Sequence, residues 1–283
     1  GFMRWQSGDR SNIEDQRGRR GMRGAAPLGI GGLLLVAALS YFTGTDLFSV
    51  LDDVNNSAPA GGAPAETATS PEEERMVAFV DAVAGDTQAT WARLLGPRYE
   101  RTVVILFRDA VQSACGAAES ATGPFYCPGD RKVYLDLGFF AELSQRFGAP
   151  GDFAQAYVIA HEFGHHVQHL LGTDERVRTD PRPGTNSASV ALELQADCYA
   201  GIWGHDASQQ GRFSAGKVEL EPGDAEEALK AAAAIGDDRL QRMASGRVAP
   251  ERFTHGSSAQ RMEWFRRGMS TGDPAQCDTF ARR

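Results

Sequence analysis

None of the four cysteines in this 283-residue chain forms a C-x-x-C pair, so a zinc knuckle is not expected. Basic excess is missing too. The formal net charge of −8 argues against general binding of nucleic acid or another polyanion. No internal repeat is visible, which removes solenoid architectures. From Gly24 to Thr45 there is no charged residue at all, and no small-x-small cleavage site cleanly follows the apolar stretch inside it. What remains is 42% hydrophobic and 23% charged, enough for one large globular domain or two modest ones.

The uncharged stretch has its apolar heart at Leu28–Phe42 and just reaches the ~20 residues a spanning helix needs. Gly1-Phe2 precede Met3, which reads as the natural start. Arg4, Arg10, Arg17, Arg19, Arg20 and Arg23 lie before the stretch, while Asp46, Asp52 and Asp53 follow it. That bias predicts a single-pass anchor with its N-terminus inside and the body outside. The expected organisation is a basic, disordered segment at 1–24, an anchor at 25–45, an Ala/Gly/Pro/Ser/Thr linker at 46–70 and a folded domain at 71–283. The cysteines, even in number and widely spaced, suit two disulfides in an oxidising compartment. Three pairings exist. Proximity favours Cys115–Cys127, leaving Cys198–Cys277 to pin the tail.

Ser70-Pro71-Glu72-Glu73 reads as a helix start, with helices expected over Pro71–Ala84 and Thr87–Leu95. Val103–Phe107 and Lys132–Leu137 read as strands, with a small-residue loop over Ser113–Cys127. Further helices are expected at Phe139–Phe147, from Asp152 as N-cap to Gly172 as stop, at Ser187–Trp203, Pro222–Gly236, Asp237–Ser245 and Ser257–Arg267. The class is α+β, mostly helical with a small sheet, preceded by one transmembrane helix.

Within Ala156–Gly172 stands His161-Glu162-Phe163-Gly164-His165, an H-E-x-x-H pattern. On a helix, residues i and i+4 share a face, so His161 and His165 can converge on one metal ion, and Glu162 can act on a metal-bound water as general base. A catalytic zinc site needs a third protein ligand. The candidates are Glu193, His166, His169, His205 and His255. His166 points about 100° away from His165, and an i, i+4, i+8 row ending at His169 rotates around the helix. Glu193 and Asp197 are again i and i+4, on a helix whose Leu192, Leu194, Ala196, Ala200 and Ile202 make a solvated face improbable; one of the pair can ligate while the other orients a histidine. Glu193 is therefore favoured.

H-E-F-G-H-H followed by E-L-Q-A-D resembles the gluzincin arrangement of zinc peptidases. The flanking text is more specific: G-P-F-Y-C-P, V-Y-L-D-L-G-F-F, A-Y-V-I-A-H-E, L-E-L-Q-A-D-C-Y-A-G, A-A-A-I-G-D-D-R-L-Q and F-T-H-G-S-S-A-Q-R. Together these resemble the bacterial neutral zinc metallopeptidase family, across nearly the whole chain except the linker. The last segment also resembles the T-H-P-x-x-x-x-R of membrane prenyl-endopeptidases, but Gly256 replaces the proline, and a prenylated or intramembrane substrate does not carry over.

The resemblance implies a zincin-like domain with one Zn²⁺ held by His161, His165 and Glu193, Glu162 as base and Asp197 orienting a ligand. His255 is then a candidate oxyanion donor, or simply a loop histidine before Ser257. Arg261 is a candidate for placing it or for contacting substrate. Strand Val133–Leu137, with Tyr134, is a candidate edge for aligning an extended peptide. The function expected is a membrane-tethered endopeptidase of the bacterial cell membrane. Its C-terminal domain would lie outside the cytoplasm and act on peptide or protein substrates. The alternative is a zinc-containing but catalytically silent envelope adaptor.

Overall fold

The computed structural model describes residues 3–18, 69–119, 123–145, 148, 151–209, 218–221 and 223–281. The expected anchor and nearly all of the expected linker lie outside the described residues. Among the described residues, no helix is long and apolar enough to cross a membrane. The chain divides into two compact units: Gly1–Gln16 together with Thr69–Arg283, and Arg17–Ala68.

The first unit is α+β. Its strands are β1 (Arg4–Trp5), β2 (Ile13–Asp15), β3 (Val104–Phe107), β4 (Ala110–Ser113), β5 (Gly116–Glu119), β6 (Phe125–Cys127), β7 (Lys132–Asp136) and β8 (Val218–Glu219). Its helices are α1 (Pro71–Leu95), α2 (Gly138–Gln145), α3 (Asp152–Leu170), α4 (Glu175–Thr179), α5 (Ala188–Ala207), α6 (Asp224–Ala234), α7 (Asp237–Ser245) and α8 (Ser258–Thr271).

Two expectations about the N-terminal half are corrected. Residues 4–24 are not uniformly disordered, because β2 pairs parallel with β3 and β1 pairs antiparallel with β8. The two helices expected over Pro71–Leu95 are one. The small and polar residues that suggest a break are satisfied inside the packed core. The Thr87 hydroxyl donates to the Val83 carbonyl at 2.7 Å, and Asp86 accepts from Trp203 Nε1 at 2.8 Å.

The main sheet has the order β2-β3-β7-β6, with β6 antiparallel to β7. β3 reads V-I-L-F because both of its faces are covered. Val104, Leu106, Val133 and Leu135 join Val77, Val80, Phe153 and Tyr157 in the main core. Ile105, Phe107 and Tyr134 turn to the other face, against Val111 and Cys127. This alternation overturns two expectations. β7 lies between β3 and β6, so it is not the edge that receives a peptide; among the described residues β6 ends the sheet on that side and β2 on the other. Tyr134 is 4% exposed, stacked on Phe125 and hydrogen-bonded through its hydroxyl to Asp130, so it is not a substrate contact. The loop expected over Ser113–Cys127 in fact holds β5 and β6, with β4 and β5 forming a hairpin.

Both expected disulfides are formed, Cys115–Cys127 and Cys198–Cys277. The second ties the tail to α5, where Gln195 Nε2 also donates to the Cys277 carbonyl at 3.0 Å. Helices α5 and α8 cross at very close range through Gly201 and Gly268. A Cβ on Gly268 would fall 2.0 Å from the Cys198 carbonyl oxygen. That crossing presents Arg261 to the interior of the site.

Candidate metal centre

Helix α3 carries the motif. Its N-cap is Gly151, not the expected Asp152, and Glu227 from α6 accepts from the Phe153 amide at 3.3 Å in place of a local cap. The motif's second variable position, Gly164, is what lets α5 approach. A Cβ there would lie 3.1 Å from the Ala196 carbonyl oxygen. The close crossing brings Glu193 and Asp197 onto the two histidines. Ser187 starts α5 as a side-chain cap on Val190, and the helix runs on to Ala207.

Ligand-type atoms of His161, His165 and Glu193 lie within 4.8 Å of one another. His161 Nε2 is 3.1 Å from His165 Nε2 and 3.1 Å from Glu193 Oε2, and His165 Nε2 is 3.4 Å from Glu193 Oε1. Tetrahedral zinc with bonds of about 2.0–2.1 Å separates its ligand atoms by about 3.3–3.4 Å, so this triangle has the right size. The tautomers agree. His161 Nδ1 lies 2.9 Å from Asp197 Oδ1 and His165 Nδ1 lies 2.9 Å from Gln168 Oε1. Both partners are oxygens that only accept, so each Nδ1 carries the proton and each Nε2 turns a lone pair inward. Gln168 is itself oriented, donating to the Leu192 carbonyl at 2.7 Å and to Gln195 Oε1 at 3.0 Å. Two lone pairs and a carboxylate facing one another at such range call for a cation or a proton between them. Burial opposes charge on His161, but Asp197 and Glu193 override it and push its pKa to about 10. Glu193 is driven the other way. Burial would raise it, but His165 and His161 hold it well below the carboxylate range. The donor set fits zinc.

Asp197 is fully buried and accepts from four directions: His161 Nδ1, the Tyr157 hydroxyl, Arg261 Nε at 2.8 Å and Arg261 NH2 at 3.1 Å. Burial would raise its pKa, but Arg261 and His161 lower it. Arg261 is 3% exposed, and its guanidinium also reaches the Ile235 carbonyl at 3.3 Å. It borders the cleft, yet its donors point at Asp197. Arg261 thus holds the carboxylate that holds His161, a role the sequence did not assign to it.

Glu162 lines a cleft of about 550 Å³ together with His161, His165 and Glu193. Burial raises its carboxyl pKa, against the opposing pull of His161 and His165. The same cleft is lined by Gly123–Tyr126 and Pro128, with Phe139, Leu192, Ile235 and Leu240 adding apolar surface. His255 lines the same cleft. Its loop is moored by Asp237, whose Oδ2 accepts from the amides of Thr254, His255 and Gly256 at 2.8, 2.7 and 3.0 Å. His255 Nδ1 lies 3.4 Å from Asp237 Oδ1. Hydrogen bonding to Asp237 raises the imidazole pKa, against burial.

His166 and His169 take no part in the ligand triangle. His166 Nε2 donates to the Glu100 carbonyl at 2.6 Å, so its Nδ1 accepts from the Tyr126 hydroxyl at 2.9 Å. His169 pairs with Asp174 at 2.6 Å. His205 hydrogen-bonds the Met269 carbonyl at 2.8 Å, away from the cleft. Sequence reasoning overlooked Tyr157, Gln168 and Asp237. The first had a signal, since Tyr157, His161 and His165 form one i, i+4 row, and Gln168 lies three residues past His165. Asp237 had none.

The model of a family described as "Putative neutral zinc metallopeptidase" matches residues 3–280. The chain belongs to this family. Among its relatives, YpfJ of Escherichia coli (strain K12), an uncharacterised protein, is 44% identical over 296 residues, 99% of each chain. Rv2575 of Mycobacterium tuberculosis (strain ATCC 25618 / H37Rv), likewise uncharacterised, is 48% identical over 206 residues, 71% of this chain and 70% of the relative. No solved structure matches the chain. Within the family's matched span, residues 3–280, fall the metal triangle, Asp197, Arg261 and His255, and also strands β1 and β2.

Proposed function

We propose that this chain is a zinc-dependent endopeptidase. The observation that carries the reading is the convergence of His161 Nε2, His165 Nε2 and the Glu193 carboxylate at 3.1–3.4 Å, beside Glu162 in an open-mouthed cleft. Bound there, one zinc ion supplies Lewis acidity and lowers the pKa of a coordinated water.

The chain's residues supply the rest. Glu162, held above the ordinary carboxylate range by burial, takes the proton of the attacking water and returns it to the leaving amine. His255, whose imidazole pKa is raised by its hydrogen bond to Asp237, donates toward the negative charge that develops on the carbonyl oxygen. An extended peptide adds to the edge that β6 forms among the described residues by backbone pairing, with its side chains against Phe125, Tyr126 and Phe139. Association with a membrane through residues 25–45, with no side assigned to the N-terminus, is part of this reading, supported by the uncharged run of sequence there.

The test is a peptide-library digest with full-length protein and Glu162→Gln, alongside metal analysis of both. Zinc in both proteins and cleavage by the wild type alone is the expected result. Removing the base costs roughly 10²–10⁴-fold. Zinc in both with cleavage by neither would leave an adaptor, and zinc in neither would end the reading.

A further inference from the structure

The N-terminal arginines, taken as a flank before the uncharged run, predict that residues 1–24 face the cytoplasm while the body lies outside. The structure places residues 3–16 inside the body. β2 extends the main sheet in register, Ile13 opposite Val104, Glu14 opposite Ile105 and Asp15 opposite Leu106. β1 pairs with β8, Arg4 opposite Glu219. Met3 is 4% exposed in the main core, and Trp5 packs edge-on against Phe79.

The mooring is polar as well. Asp81, fully buried on α1, accepts from the amides of Arg10 and Asn12, each at 3.1 Å, and from Asn12 Nδ2 at 3.0 Å. Asn12 in turn accepts from Gln88 at 2.8 Å and Arg101 at 2.7 Å. Withdrawing the segment would take from that buried carboxylate the three donors that Arg10 and Asn12 supply, which the fold cannot do cheaply. Arg4 and Arg10 are committed to the body too, paired with Glu219 at 3.8 Å and Glu74 at 2.7 Å.

The chain leaves and rejoins the body at one pole. Gln16 donates from its amide to the Leu106 carbonyl at 2.8 Å, and Arg108, two residues further on, pairs with Glu73 near the start of α1.

We infer that residues 3–16 and the metal-bearing body share one side of any membrane that the intervening chain enters. A single pass with the N-terminus opposite the body is incompatible with β1 and β2 in place. The inference stands whether or not the protein cleaves peptides.

The experiment uses the full chain in cells. Ser7→Cys and Ser245→Cys, both at exposed positions, are made separately and treated with a membrane-impermeant maleimide before and after permeabilisation. Expected is the same labelling pattern for both, accessible together or protected together. Labelling from opposite faces would overturn the inference. A second variant, Arg4→Cys with Glu219→Cys, tests the pairing itself on the β1–β8 ladder. A bond within one chain is expected; a disulfide-linked dimer, or no bond, would overturn it.

Discussion

The cleft has two unlike walls. The helical wall is tied many times over. His161 and His165 on α3, Glu193 and Asp197 on α5 and Arg261 on α8 form one hydrogen-bonded network, with Asp197 at 0% and Arg261 at 3% exposure. The strand wall, β6, spans Phe125–Cys127. It is held by its ladder with β7, by the Cys115–Cys127 bridge and by the Tyr126–His166 hydrogen bond. Groups that set a metal's geometry must be fixed to a fraction of an ångström, whereas a wall that receives different peptides needs register more than rigidity. Damage to the helical wall should therefore appear in metal content and kcat, and damage to the strand wall in KM.

The largest effect is expected from Asp197→Asn. The change leaves Arg261 buried beside a neutral amide and turns one of the two acceptor oxygens into a donor, so His161 Nδ1 and Arg261 can no longer both be satisfied as they are. Breaking a buried pair costs about 3–5 kcal/mol, and loss of such an outer partner typically costs about 10–100-fold in metal affinity. Zinc titration and thermal unfolding should both register it. A variant that keeps wild-type zinc affinity would show that the network behind the ligands is passive.

A smaller, pH-dependent effect is expected at the boundary between the walls. Asp237 raises the His255 pKa through a hydrogen bond, so His255 contributes stability that is complete below its ordinary value near 6.5 and is lost as pH rises through its folded value. Asp237 is the mirror case. Burial would raise its pKa, but His255 and the loop amides lower it, so its contribution is present above its ordinary value and is lost as pH falls through its folded value. If protonated His255 serves the oxyanion, activity declines on the alkaline side through the raised pKa. Asp237→Asn should move that limb toward lower pH. An unchanged limb in the pH–rate profile of this variant would remove His255 from the chemistry.

The same contrast governed what the sequence made legible. The helical wall follows a local rule: His161/His165 and Glu193/Asp197 are each i, i+4, and that period picked out the four residues while the family resemblance divided their roles. The strand wall follows none. In K-V-Y-L-D-L the alternation shows that Tyr134 and Leu135 face opposite ways, but not which face meets the cleft or that β6 supplies a further strand beyond it. F-Y-C is too short to announce itself. The N-terminal strands were hidden for a related reason. R-W and I-E-D look like solvated chain until Asp81, about seventy positions on, is seen to receive their neighbouring amides. Arg261 was noticed, but whether it pointed at substrate or at Asp197 depended on how closely α5 and α8 cross.

Tyr126→Phe tests the strand wall directly. It removes the hydroxyl that donates to His166 Nδ1 and keeps the ring in the cleft. One lost hydrogen bond is worth about 1 kcal/mol, or roughly fivefold in an equilibrium constant. KM for an extended peptide should rise by about that factor, with kcat and zinc content little changed. A fall in kcat at constant KM would mean that β6 does not hold the substrate and that the two walls are not functionally distinct.

The smallest effect expected is at the far end of the helical wall. Glu227 caps α3 at the Phe153 amide, eight residues before His161. It also crowds Asp152, whose pKa is raised first by burial and then by the Glu227 charge, so part of the cap's benefit is spent on repulsion. Glu227→Ala should cost about 1 kcal/mol, a drop of roughly 2–4 °C in Tm for a domain of this size. Glu227→Gln keeps an acceptor and relieves the repulsion, so it should cost less than the alanine. Because Asp197, Gln168 and the α5 crossing hold the ligands independently of the cap, zinc affinity should stay at the wild-type value in both variants. Lost zinc affinity in Glu227→Ala would show instead that α3 is positioned from its N-terminus, and that the helical wall is less self-supporting than its network implies.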